Sequence, residues 1–215
     1  MRLAPSPHSL QVKGDEIGAR PYHALMTRVL LTGFGPFPGA PENPTAQIVE
    51  TLAKQRFEGV ELVTCILPVI WREAETRISA LIHEVRPDVI LHLGLATKRM
   101  TIGVEMRARN ECTRITPDAE NICRTSGTID AKGPGLRQVR MDCARVVETL
   151  RAASLEAEIS DDAGDYICNH TLYLSLGTDV PRVGFIHLPM PDARMSLAAM
   201  TQGIANVVKM LAKEA

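Results

Sequence analysis

The 215-residue sequence has no excess of charge of either sign. Its 24 lysine and arginine residues are balanced by 25 aspartate and glutamate residues, and neither a basic stripe nor an acidic tail stands out. Proteins that bind nucleic acid or anionic membranes usually carry a concentrated basic patch. The even charge distribution therefore argues against nucleic acid and membrane surfaces as partners.

Long apolar runs and paired cysteines are also missing. Even the apolar stretch PDVILHLGLA is well short of the roughly 18 residues that a membrane span needs. The five cysteines are scattered, form no CxxC pair and follow no secretory signal, which is typical of reduced thiols in the cytosol. We therefore expect a soluble, cytoplasmic protein.

Residues 1–25 contain three prolines and two glycines and show no sustained apolar periodicity. This composition predicts a disordered or loosely ordered N-terminal extension. Met26 then opens the segment MTRVLLTGF, which resembles a natural protein start. With 45% hydrophobic residues in the chain, we expect residues 26–215 to form a single domain with a full core.

From Arg28 onwards, strand-like apolar runs alternate with helical patterns. The runs are apolar on both faces, as in a sheet that is covered on both sides. The predicted strands are RVLLTGF, VELVTCIL, DVILHLGL, AEISDD and RVGFIHLP. Asn43 and Pro44 supply an N-cap and a first-turn proline for the first helix. This order predicts a single three-layer α/β/α domain with a mostly parallel, twisted sheet, whose strand order is left open.

Three residues near strand and helix ends could carry chemistry, because ligands of open α/β sheets collect at the carboxyl ends of strands. Cys168 precedes the helical segment TLYLSL, so backbone N–H groups at a helix entrance favour its thiolate. His187 emerges at the end of VGFIH, where a base for Cys168 is well placed. Glu105 interrupts a short apolar stretch, and a buried carboxylate needs a partner such as histidine.

Each of these residues also has a structural interpretation. Cys168 could be a small buried hydrophobe, His187 a core histidine bonded to the backbone, and Glu105 a solvated glutamate on an edge strand. His92, inside DVILHLGL, is interpreted as structural. Position alone does not decide between the structural and the catalytic interpretation.

Five segments together resemble a known family. TGFGPFPGAPENP, PDVILHLGLA, TIGVEMRARN, GDYICNH and VGFIHLP follow one another in the order and approximate spacing of the pyroglutamyl peptidase I (pyrrolidone-carboxylate peptidase) family. The resemblance runs from about Arg28 to the C-terminus. It implies a cysteine peptidase that removes N-terminal pyroglutamyl residues from peptides, with Cys168, His187 and Glu105 as its catalytic set. It further implies no metal or organic cofactor and a homo-oligomer, commonly a tetramer.

The resemblance also implies a substrate site. Phe34 and Phe37 would line an apolar pocket for the lactam ring, a role that is compatible with core packing. Leu95 stands where the family usually carries the glutamine of a Gly-Gln-Ala-Gly-Gly loop, and Gly35 replaces an acidic residue. Arg114 resembles a family arginine near the oxyanion site. These departures keep a catalytically weakened relative as an alternative.

Two further alternatives come from other functional classes. Gly33, Gly35 and Gly39 superficially resemble a nucleotide-binding loop of a non-catalytic α/β domain, but their spacing is wrong and the intervening prolines cannot donate N–H groups. A metal site built from Cys168, His170 and His187 is the other alternative. Its two-residue spacing suits no common structural zinc motif.

Overall fold

The structure, a computed structural model, describes residues 26–215, so the predicted N-terminal extension lies outside the described residues. The strands are β1 (Thr27–Phe34), β2 (Val60–Leu67), β3 (Val89–Leu95), β4 (Ile102–Glu105), β5 (Arg107–Arg109), β6 (Leu136–Gln138), β7 (Ala157–Ser160) and β8 (Arg182–Leu188). The helices are α1 (Pro44–Ala53), α2 (Trp71–Val85), α3 (Cys143–Ala152), α4 (Ile167–Leu176) and α5 (Leu197–Lys213). None of these helices combines the length and the apolar character that a membrane crossing requires.

Six strands form one mixed sheet in the order β2-β1-β3-β8-β4-β7. Strands β2, β1, β3 and β8 are parallel to one another, β4 is antiparallel to β8, and β7 is parallel to β4. The predicted mostly parallel α/β fold is confirmed. The interpretation of Glu105 as an edge-strand residue is wrong, because β4 lies between β8 and β7 and its glutamate is fully buried.

Helices cover both faces of the sheet because alternate strand residues are apolar on both sides. Val29 and Leu31 of β1 join the core beneath α1, α3 and α5, whereas Leu30 joins the core beneath α2 and α4. Each fully buried leucine or valine contributes about 1.5–3 kcal/mol. The two cores fix the sheet, and therefore the strand ends that carry the candidate site.

Side-chain caps set where several helices begin. Asn43 accepts a hydrogen bond from the Thr45 N–H at the start of α1, and Pro44 occupies the first turn as predicted. Helix α2 is capped from a distance, because the buried Asp118 carboxylate accepts from the Trp71 N–H. Asp118 belongs to the long loop between β5 and β6, so this bond ties the loop to the start of α2.

Candidate active site

His187 and Glu105 are brought together by the antiparallel pairing of β4 with β8. Gly103 pairs with His187 and Glu105 pairs with Phe185, so the two functional side chains lie diagonally on the same face of the sheet. The Nδ1 atom of His187 is 2.7 Å from Oε1 of Glu105. Glu105 is 0% exposed and His187 is 6% exposed. The pairing thus supplies the buried carboxylate with a histidine partner.

Cys168 is supplied by α4, and its thiol lies beside Gly94 of β3. It is the second residue of that helix, close to the predicted helix entrance, and the N-cap residue Tyr166 makes no side-chain capping bond. Gly94 pairs with His187 across β3 and β8. A Cβ atom at Gly94 would lie 3.0 Å from Cys168 Sγ and 2.6 Å from the Phe185 ring. Gly94 therefore leaves room for the Cys168 thiol and the Phe185 ring beside the strand that pairs with His187.

The imidazole of His187 is held between two acidic partners. Its burial works against the charged form, but hydrogen bonds with Cys168 and Glu105, together with their negative charges, outweigh burial and raise the pKa of His187 to about 9. The imidazolium therefore persists below pH 9 and is lost as the pH rises through that value. This arrangement keeps a protonated imidazole beside the nucleophile candidate at neutral pH.

A small apolar cavity adjoins the thiol, and we name it the Cys168 cavity. Its lining residues are Phe34, Phe37, Asn43, Val69, Leu95, Tyr166, Ile167 and Cys168. The volume of about 40 Å³ suits a few water-sized groups. Three of the four residues predicted to bind substrate, Phe34, Phe37 and Leu95, thus lie beside the nucleophile candidate.

The fourth predicted substrate residue, Arg114, is placed elsewhere. It is exposed, its side chain runs beside Gly127, and it does not line the Cys168 cavity. Another arginine, which no sequence motif singles out, reaches the buried site instead. Arg99 Nη2 lies 3.3 Å from Glu105 Oε1. The one sequence feature that could have indicated Arg99 is its position six residues before Glu105, in the loop after β3.

The alternative metal set of Cys168, His170 and His187 is not assembled. His170 lies two residues after Cys168 on α4, so the two side chains point away from each other. The Nδ1 atom of His170 is 3.4 Å from Cys112 Sγ, on the α2 side of the helix. Over residues 26–215, no three potential ligands converge closely enough to hold a metal ion. The metal alternative for Cys168, His170 and His187 is therefore wrong.

The glycine loop after β1 is closed by its own hydrogen bonds. The Phe37 and Ala40 backbones bond to each other, and the Gly35 N–H donates to the Leu67 carbonyl. A Cβ at Gly33 would lie 2.7 Å from the Thr45 carbonyl oxygen, so this glycine serves close strand–helix packing. Several backbone N–H groups that a phosphate would need are already in use. The loop consequently does not support the nucleotide-binding alternative.

His92 is structural, in agreement with the interpretation from sequence. It is fully buried, and its two ring nitrogens contact Thr32 Oγ1 at 2.7 Å and Ser175 Oγ at 2.9 Å. Burial lowers the pKa of His92 to about 3, which keeps the ring neutral. His92 thus links β1, β3 and α4 through uncharged hydrogen bonds.

Comparisons with known proteins agree with this geometry. A family model described as pyroglutamyl peptidase matches residues 27–207. The pyrrolidone-carboxylate peptidase of Gloeobacter violaceus is 32% identical over 200 residues, which cover 87% of this chain and 98% of the relative. That of Yersinia pestis is 33% identical over 169 residues, which cover 76% and 79% of the two chains.

Solved structures show the same fold. The pyrrolidone carboxyl peptidase of Thermococcus litoralis superposes with a TM-score of 0.81 and 28% identity, over 86% of this chain and 92% of that one. A mutant pyrrolidone carboxyl peptidase from Pyrococcus furiosus gives a TM-score of 0.82 and 27% identity, over 87% and 99%. Sequence, fold and site agree, and the chain belongs to the pyroglutamyl peptidase family of cysteine peptidases.

Proposed function

We propose that this chain hydrolyses the bond after an N-terminal pyroglutamyl residue of peptides, with Cys168 as nucleophile, His187 as acid and base, and Glu105 as the carboxylate that orients His187. The observation that carries the proposal is the position of His187. Its Nδ1 atom lies 2.7 Å from Oε1 of the buried Glu105, and the half-buried thiol of Cys168 is close enough to help raise the pKa of the imidazole. Nucleophile, base and orienting carboxylate thus form one chain of contacts.

The reaction proceeds in two halves. Because the pKa of His187 is raised to about 9, the proton rests on the imidazole at neutral pH and the thiolate attacks the pyroglutamyl carbonyl carbon. His187 then gives its proton to the departing amine, and a thioester to Cys168 remains. The neutral imidazole next takes a proton from water, the resulting hydroxide attacks the thioester, and free pyroglutamate leaves as the thiolate–imidazolium pair re-forms.

The oxyanion formed in both halves needs hydrogen-bond donors. The first N–H groups of α4 have no partners inside the helix, and Tyr166 offers them no side-chain cap. Free N–H groups at a helix start next to Cys168 are suited to stabilise the oxyanion. The contribution of the exposed Arg114 stays a prediction.

Substrate selection depends on the Cys168 cavity. Phe34 and Phe37 can pack on a five-membered ring, but apolar contact alone does not separate pyroglutamate from proline. Polar groups that pair with the lactam C=O and N–H can reject proline by up to about 10⁴-fold. With Leu95 in place of the family's glutamine, backbone groups must make these bonds. If a glutamine side chain is needed instead, the chain is a catalytically weakened relative.

The test is turnover of a chromogenic pyroglutamyl amide beside the matching prolyl amide. We expect strong selectivity for pyroglutamate and no turnover by Cys168→Ala, while Cys65→Ala on β2 serves as a matched control with normal turnover. Leu95→Gln separates the two candidates, because a large gain in kcat/KM would identify a weakened relative. Comparable rates on the prolyl amide would exclude lactam recognition.

We further propose a cytoplasmic location, a homo-oligomer, and an activity that residues 26–215 carry alone. The family resemblance supports the oligomer, and the absence of an apolar pattern in residues 1–25 supports the last point. Light scattering measures the oligomeric state. A chain that starts at Met26 should retain kcat/KM and Tm, and a large loss of either would contradict this part of the proposal.

A further inference from the structure

Arg99 contacts the carboxylate oxygen that also binds His187. Its Nη2 atom lies 3.3 Å from Glu105 Oε1, and the same nitrogen donates to Ser160 Oγ at 2.6 Å. A longer contact of 3.4 Å reaches the Asp162 carbonyl oxygen. The guanidinium is thus fixed from β7 and the loop after it while it faces the end of β4.

The backbone makes room for this guanidinium. A Cβ atom at Gly103 would collide with Arg99 Nη1 and crowd its central carbon, so a glycine is needed beneath the side chain. Within residues 26–215, Oε2 of Glu105 is buried and has no hydrogen-bond partner, which leaves Oε1 as the oxygen through which the carboxylate is held. In the same range, Arg99 and His187 are the two cationic side chains within 4 Å of Glu105.

We propose that Arg99 is a positioning residue. It fixes the Glu105 carboxylate and weakens the effect of the Glu105 negative charge on His187. The inference rests on the proposed catalytic roles of Cys168, His187 and Glu105. A fully buried carboxylate is costly unless its charge is balanced and its position is held. Arg99 does both without lining the Cys168 cavity, so it acts through Glu105 and not on substrate.

The groups that face His187 and Glu105 come from four elements. These groups are Cys168 on α4, Glu105 on β4, Cys143 on α3 and Arg99 in the loop after β3. Burial is the main cause that raises the pKa of the Cys143 thiol to about 11. Arg99 itself is flanked by Glu158, whose carboxylate lies 3.9 Å from Nη1. Among these side chains, Arg99 is the permanent positive charge.

The sign of the effect on pH dependence follows from this arrangement. Glu105 favours the imidazolium of His187, and the positive charge of Arg99 opposes part of that effect. Removal of the Arg99 charge therefore stabilises the imidazolium further, and activity is retained to higher pH. Removal of the Glu105 charge has the opposite effect. A side chain with a merely structural role would change the rate without moving the alkaline limb of the pH profile.

The test compares Arg99→Gln and Arg99→Lys with Arg107→Gln. Arg107 is a matched control because it pairs with the neighbouring Asp161 at 2.9 Å and makes no contact with Glu105. We expect Arg99→Gln to lower kcat about tenfold with KM within about twofold, and to move the alkaline limb of kcat/KM upward by about half a pH unit or more. Arg99→Lys should keep the alkaline limb and recover part of kcat, since lysine keeps the charge but not the guanidinium geometry.

A second variant guards against a general loss of folding in Arg99→Gln. Gly103→Ala leaves every charge in place and pushes the guanidinium aside, so it should lower kcat while the KM and the Tm change little. Circular dichroism and Tm are measured for each variant. If Arg99→Gln does not fold, the results for Arg99→Lys and Gly103→Ala decide the test.

Two results would overturn the inference. One is an Arg99→Gln enzyme whose kcat and alkaline limb match those of Arg107→Gln, and the other is a loss that appears mainly in KM. Cys168→Ala and Glu105→Gln are run in the same assay. If those two variants keep full turnover, the proposed catalytic set has failed, whereas their inactivity beside a normal Arg99→Gln enzyme rejects the role of Arg99 alone.

Discussion

Helix α4 carries one member of each of two cysteine–histidine–glutamate groups. The active-site group comprises Cys168, His187 and Glu105, and the second group comprises Cys112, His170 and Glu75. In both groups the histidine lies between a thiol and a carboxylate. The residue types are identical, so differences in behaviour must come from burial and from neighbouring charges.

The pKa values of the two histidines are shifted in opposite directions. Burial, reinforced by the positive charge of Arg124, outweighs Glu75 and lowers the pKa of His170 to about 4, whereas the pKa of His187 is raised to about 9. His170 Nε2 is 3.4 Å from Glu75 but has no hydrogen bond of good geometry within residues 26–215. His170 therefore stays neutral where His187 is charged.

Exposure of the carboxylate and of the thiol explains the contrast. The Glu75 side chain is 47% exposed and shares its charge with Arg124, while the Glu105 side chain is fully buried. Cys112 is buried, which raises the pKa of its thiol, whereas Cys168 lines a cavity. A cysteine, a histidine and a glutamate in contact thus become a candidate active site only where the carboxylate is desolvated and the thiol is accessible.

The largest expected difference between the groups is in the nucleophile. Cys168→Ala should lower turnover of a pyroglutamyl amide by about 10³-fold or more, because no other group can form the thioester. Cys112→Ala removes an equivalent thiol from the second group and should leave turnover within about threefold. Steady-state kinetics measures both, with circular dichroism as the folding control. Equal losses would remove the functional distinction between the groups.

The carboxylates provide the next contrast. Glu105→Gln should lower kcat by about 100-fold or more, with a much smaller change in KM, because an amide cannot stabilise the imidazolium. The alkaline limb of the pH profile should move below pH 9, since Glu105 helps to raise the pKa of His187. Glu75→Gln should leave kcat and the alkaline limb of the pH profile unchanged. A rise in KM without a fall in kcat would make Glu105 a substrate-binding residue.

Alkylation compares the two thiols without mutation. Iodoacetamide should modify Cys168 at least about tenfold faster than Cys112 at pH 7, because the thiolate is the reactive form and the Cys112 thiol is buried with a raised pKa. Mass spectrometry of peptides after timed quenching gives both rates. Similar rates in the folded protein would contradict the proposed thiolate at Cys168.

The smallest expected effect tests why His170 of the second group stays neutral. Arg124 opposes the charged form of His170, so Arg124→Gln should raise the pKa of His170 by about one unit. Burial still dominates, so the value should stay below 6.5, and the variant should not gain activity. Histidine NMR titration measures the shift. An unchanged pKa would show that burial alone keeps His170 neutral.

The sequence predicted the parts of the active-site group that local patterns specify. Cys168 at a helix entrance and His187 at a strand end follow from apolar runs and their ends, and His92 was correctly interpreted as structural. The contact between His187 and Glu105 depends on β4 running antiparallel beside β8, and strand order leaves no trace in a single sequence. Glu105 was for that reason open to interpretation as an edge residue.

Long-range contacts explain the remaining omissions. Arg99 reaches Glu105 only because Gly103 lacks a side chain and Ser160 lies on the neighbouring strand. The second group combines residues from α2, from α4 and from the loop between β5 and β6. No sequence motif contains two of these residues. Both features require the three-dimensional arrangement. Ser160 is 61 residues from Arg99 and His170 is 58 residues from Cys112, and the six-residue interval between Arg99 and Glu105 belongs to no recognised motif.

The most direct measurement is an NMR titration of the histidine side chains in the intact protein. The chain has six histidines, so His187→Gln and His170→Gln are needed to assign the signals. We expect a midpoint near pH 9 for His187, which falls when Cys168 is replaced by alanine, and a midpoint near pH 4 for His170. Midpoints near 6.5 for both residues would contradict the claim that burial and charge, and not residue type, separate the two groups.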